Sequence, residues 1–96
     1  MKLKLKTLIK YNNVEYSELD FDFEGLTGAQ VLKAREGMTS GLSSYVEGLV
    51  PQLSMEFQAR LAAQAAKVPY EVITMLPASA FLKITTEARS FLGVGD

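Results

Sequence analysis

Two rows of charge near the amino end are the residues whose types and spacing most invite chemistry. Glu18, Asp20, Asp22 and Glu24 stand at every second position, an oxygen-rich set of the kind that binds calcium. Lys2, Lys4, Lys6 and Lys10 form a basic row before them, which taken alone would be a footprint for nucleic acid or a membrane surface. The remaining catalytic repertoire is thin. The chain has no histidine and no cysteine, so the near-neutral proton shuttle, thiolate chemistry and the soft metal ligands are all missing. Serines and threonines are plentiful but none has a base at a motif spacing, and the glycines match neither a P-loop nor a dinucleotide fingerprint. We therefore expect no enzyme and no cofactor.

The elements that carry the two rows explain them more simply. Leu3, Leu5, Thr7 and Ile9 alternate with the lysines, and Leu19, Phe21 and Phe23 alternate with the acids, which is the period of half-buried strands. Asn12-Asn13 between them is a good turn pair, because asparagine tolerates positive φ. Folded back, the lysines meet the acids in a charge ladder, and local cancellation argues against both a nucleic-acid surface and a membrane surface. Same-face carboxylates would lie roughly 7 Å apart opposite lysines, a poor calcium site. A two-residue turn pairs Tyr11 with Val14 and would leave each lysine facing an apolar residue. One extra residue in the second strand, near Val14 to Ser17, restores the match, so that Leu5 meets Phe21, Lys6 meets Asp20 and Lys4 meets Asp22. The pattern predicts a β-bulge there.

Helical periodicity takes over after Gly25. Thr27 can cap a helix over 28–38, with Val31, Ala34 and Met38 on one face. The stretch 37–53 is rich in glycine and serine, which favours a flexible connection, yet Leu42, Tyr45, Val46 and Leu49 keep helical spacing until Pro51. Ser54 begins a stronger helix with five alanines between Ala59 and Ala66, a smooth surface that another helix can approach closely. Leu61, Ala65 and Val68 form its apolar stripe. Pro69 and Pro77 divide the last third of the chain into a helix ending near Lys67, a short apolar helix from about Pro69 to Met75, and a terminal helix from about Ala78 to Leu92 with Phe81, Ile84, Ala88, Phe91 and Leu92 on one face.

These elements predict an α+β fold: an N-terminal two-stranded antiparallel β-hairpin over 1–24, then a small bundle of about four to five helices over 27–92. At 96 residues the chain is expected to be a single domain, 1–96, with a thin core. Its hydrophobic fraction of 48% and net charge of −1 are ordinary for a soluble protein. No apolar run is long enough for a bilayer, and no export signal follows the lysines.

The order of these parts resembles the tail assembly chaperones of long-tailed phages across nearly the whole chain. The resemblance is carried by the ribbon LKLKTLIKYNNVEYSELDF, the capped helix start LTGAQVLKAREG, and the closing string FQARLAAQAAKVPYEVITMLPASAFLKITTEARSFL. Within the last, Leu61 to Ala66 leads to Val68-Pro69 and Val72-Ile73, and Leu76-Pro77-Ala78 is followed by Phe81-Leu82 and Phe91. The chain departs from the family pattern at Val68, where a glycine often precedes the proline, and at Ser79 and Ala80, where an acid is common.

The resemblance implies a non-enzymatic protein of the host cytoplasm, absent from the mature virion, that binds and solubilises the helical tape measure protein while the tail tube assembles. It also implies many copies acting together, hence self-association, and a frameshifted longer form that recruits the tail tube protein. Leu42, Tyr45, Val46, Leu49, Ala59, Ala62, Ala63 and Ala66 are the expected protein-binding residues. The alternatives are a small structural tail or head-tail connector protein, and a helical DNA-binding regulator, which the charge-balanced helices disfavour.

Overall fold

The computed structural model describes residues 1–36 and 55–93. Strand β1 (Lys2–Tyr11) pairs antiparallel with β2 (Val14–Asp20), and among the described residues four helices come after it: α1 (Gly28–Glu36), α2 (Met55–Ala66), α3 (Tyr70–Thr74) and α4 (Ala78–Phe91). The architecture is α+β, a hairpin packed on a helical bundle. Asn12 and Asn13 both take positive φ, 51° and 65°, the type I′ turn whose twist suits a two-residue hairpin.

The register bears out one part of the charge ladder and corrects another. Near the turn Tyr11 faces Val14, Lys10 faces Glu15 and Ile9 faces Tyr16; beyond an irregularity, Lys4 faces Glu18, Leu3 faces Leu19 and Lys2 faces Asp20. Lysines do stand opposite acids, but the extra residues lie in β1, where residues 5–8 span the gap opposite Ser17, and not in β2. The expected pairs of Leu5 with Phe21, Lys6 with Asp20 and Lys4 with Asp22 do not form. The physical reason is burial: Leu5 is half-buried and Ile9 fully buried on either side, while Lys6, Thr7 and Leu8 arch into solvent. With the arch between them, Leu5 packs against the core and Ile9 enters it.

Local chemistry ends each helix as the sequence requires. Thr27 opens α1 with a reciprocal cap: its backbone N–H donates to Gln30 Oε1 at 2.9 Å and the Gln30 N–H donates to Thr27 Oγ1 at 3.4 Å. At the end of α2, Lys67 turns left-handed at φ 59°, Lys67 N–H donates to the Gln64 carbonyl and Val68 N–H to the Ala63 carbonyl. That pair of bonds is a Schellman motif, made here by lysine where glycine is usual. Pro69 and Pro77 sit at the N-cap positions of α3 and α4 with extended backbone. Gly93, at φ 82°, closes α4.

Helix α2 is the centre of the packing, touching α1, α3, α4 and the ribbon. Ala59, Ala62, Ala63 and Ala65 join Ile9, Leu19 and Phe21 from the ribbon, Val72 and Ile73 from α3, and Ile84 from α4 in one buried cluster. Phe57 and Leu61 on α2 pack with Ala34 of α1 in a second. Small side chains on α2 let the neighbouring elements close upon it. The Asp22 N–H, which donates to the Ala65 carbonyl at 3.1 Å, ties the ribbon's end to the end of α2. At the following bend the Asp22 carboxylate accepts from Gly25 N–H at 3.1 Å, and a Cβ at position 25 would lie 2.5 Å from Asp22 Oδ2, so a larger residue there would have to push the carboxylate out of this bond.

Candidate protein-binding surface

The alanine row expected to meet a client faces inward instead. Ala59 and Ala62 are 0% exposed and Ala63 is buried, while Ala66 is half-buried against the same cluster. The smooth alanine face is therefore the chain's own packing surface, and what it receives are the ribbon, α3 and α4. Ala59, Ala62 and Ala63, expected as client contacts, thus offer no surface in this fold, while Ala66 keeps part of one. Leu42, Tyr45, Val46 and Leu49, with the whole 37–53 connection, lie outside the described residues.

The surface leaves other apolar groups exposed. At the corner between α3 and α4 the chain turns through Met75-Leu76-Pro77. Met75 N–H donates to the carbonyls of Glu71 and Val72, and Leu76 N–H to that of Ile73. This tight turn drives Leu76 into the core and throws Met75 outward, 47% exposed. Four residues beyond Ala78, Leu82 is 51% exposed on α4. Between them Thr74, Leu76, Ala78, Phe81 and Leu82 line an open hollow of 390 Å³. Its walls are mainly apolar, and Met75, exposed on the turn between Thr74 and Leu76, carries a flexible thioether that suits an adaptable contact with varied partners.

Two further grooves lie along α4 and carry opposite charge. At the carboxyl end of α4, Asp22, Glu24 and Glu87 surround Phe23 and Phe91, whose rings stack with centroids 5.6 Å apart. At its amino end, Lys4, Lys6 and Lys83 border a groove of 310 Å³ floored by Leu3, Leu5 and Ala80. Among the described residues none of these three lysines has a carboxylate within ion-pair distance. The cross-strand ladder is thus a matter of register, with side chains left free to reach elsewhere.

One polar cluster is structural. Arg60 Nε donates to Glu56 Oε2 at 3.1 Å along α2, and its guanidinium lies 3.9 Å over the Tyr70 ring. Burial raises the Tyr70 pKa, an effect that Arg60 opposes and that Glu56 and Glu71 reinforce. Arg60 thereby clips α3 to α2. Among the described residues no group of three or more acidic, histidine or cysteine side chains is placed to hold a metal ion, and no helix is long and apolar enough to cross a membrane.

Family models, curated proteins and solved structures offer no match to this chain. The corner hollow was not singled out from the sequence, although a signal for it exists. The stretch around Val72 is apolar on more sides than a five-residue helix can bury, and Leu82 falls off the stripe of Phe81, Ile84 and Ala88.

Proposed function

We propose that this chain is a tail assembly chaperone of a long-tailed phage: it binds the tape measure protein and keeps it soluble, transforming no molecule. The observation that carries the reading is the hollow at the α3–α4 corner, where two of the chain's exposed large apolar side chains, Met75 and Leu82, stand close in sequence to its lining. An amphipathic helix presents apolar side chains at i, i+3, i+4 and i+7, and a shallow, mainly apolar hollow walled by Leu76, Phe81 and Leu82 can receive one such turn at a time. A single contact of this size is weak. Many copies along one client add up through multivalency, which is why the reading includes self-association. In the same reading the protein works in the host cytoplasm, is absent from the finished virion, and reaches the tail tube protein through a frameshifted longer form.

Co-expression with the tape measure gene tests this. The tape measure protein is expected to pellet when made alone and to stay soluble with this chain, and purified virions are expected to lack it. A tape measure protein that pellets equally in both conditions would overturn the reading, and recovery of the chain from purified virions would favour a structural tail or connector protein.

A further inference from the structure

The basic groove beside β1 has a feature that its charge alone does not give. Five consecutive residues, Leu3, Lys4, Leu5, Lys6 and Thr7, all line it, facing Pro77, Ser79, Ala80 and Lys83 across the gap. Residues 5–8 leave the ladder with β2 opposite Ser17, so strict alternation lapses here and neighbouring residues can border one groove together. Among the described residues the sheet has two strands, and apart from the ladder with β2 no hydrogen bond reaches residues 2–10. The outer edge of β1 is therefore open along this groove, with an apolar floor below and, among the described residues, three lysines without ion partners around it.

We propose that this edge receives an extended acidic segment of a partner protein, which adds as a third strand on β1 with apolar side chains over Leu3, Leu5 and Ala80 and carboxylates toward Lys4, Lys6 and Lys83. Backbone pairing supplies the affinity of such strand addition, and alternating pockets supply the selectivity. The first turn of α4 adds to the positive field, since its first intrahelical N–H donor is that of Phe81 and Pro77 offers no side-chain cap. Lysines on an open edge also discourage indiscriminate pairing, so an acidic strand is the one kind that they admit. In this chain Glu15, Glu18 and Asp20 already stand opposite Lys10, Lys4 and Lys2 in the hairpin, and Asp22, Glu24 and Glu87 surround a separate hollow. Nothing about this groove depends on the tape-measure reading.

The test uses the full chain and a fluorescein-labelled peptide of alternating Glu and Val, read by fluorescence anisotropy. Saturable binding is expected, weakened by added salt, lost at least tenfold in the double variant Lys6→Glu with Lys83→Glu, and lost for a peptide in which the valines are prolines. Both lysines are solvent-exposed, and circular dichroism checks that the variant is folded; Lys6→Gln with Lys83→Gln replaces it if not. Absence of binding, equal binding to the variant, or equal binding of the proline peptide would overturn the proposal. So would sedimentation showing that the chain alone self-associates and that the lysine reversal abolishes it, since the groove's occupant would then be another copy.

Discussion

Replacing Ala62 by leucine separates an internal alanine face from an external one. Ala62 is 0% exposed and belongs to the cluster that contains Phe21, Ile73 and Ile84. Three added carbon atoms at such a site must displace neighbours that are already close-packed, at about 1–3 kcal/mol. A chain of this length has a total stability of about 5–14 kcal/mol. Each kcal/mol lowers the melting temperature of a domain this size by about 4–8 °C, so the variant should melt roughly 4–24 °C below wild type. Ala29→Leu, on the exposed side of α1, is the control and should shift stability by no more than about 0.5 kcal/mol. Both are measured by thermal denaturation followed by circular dichroism. An Ala62→Leu variant that melts with wild type yet no longer solubilises the client would refute the inward placement, because the alanine row would then be an outward binding face.

Particular contacts give the other expectations. Lys67→Gly relieves a left-handed lysine and should stabilise by about 0.5–1 kcal/mol after the entropy of glycine is subtracted, read from chemical denaturation midpoints. Arg60→Ala removes both the Glu56 pair and the stack on Tyr70, and should cost about 1–2 kcal/mol in the same assay. The raised Tyr70 pKa means that the folded state holds the phenolic proton more tightly than the unfolded state. Its contribution to stability is complete below the ordinary tyrosine value of 10.0 and is lost as pH rises through the higher folded value. Tyr70→Phe should flatten that alkaline decline in melting temperature. Phe91→Ala breaks the stack on Phe23 and should cost about 0.5–1.5 kcal/mol beyond the lost burial, measured against Phe23→Ala in a double-mutant cycle.

Much of the fold can be read from local pattern because local chemistry decides it. Asn12-Asn13 sets the turn, the two prolines divide the last third, and Thr27 with Gln30 caps α1; each acts through its own backbone within a few residues. The bulge is different. Charge alternation in β1 and β2 demands a change of phase but is silent on which strand carries it, and the answer depends on where Leu5 and Ile9 must reach a core built largely by residues of α2, α3 and α4, distant in sequence. The alanine row fails for a related reason. Small residues permit close approach without specifying what approaches, and here Val72, Ile73 and Ile84 complete a core that includes it. Exposure of Met75 and Leu82 is equally tertiary, set by the tightness of the turn before Pro77. Arg60 over Tyr70 joins residues ten apart across a left-handed break that no helical period describes.

Whether the α3–α4 corner receives a client helix is decided by methyl NMR of the chain labelled at methionine and leucine, titrated with a soluble helical fragment of the tape measure protein. The Met75 and Leu82 methyl signals are expected to shift and broaden together as the fragment is added, while that of the buried Leu61 holds its position. Signals at Met75 and Leu82 that stay fixed at saturating fragment would contradict a chaperone that works through this hollow.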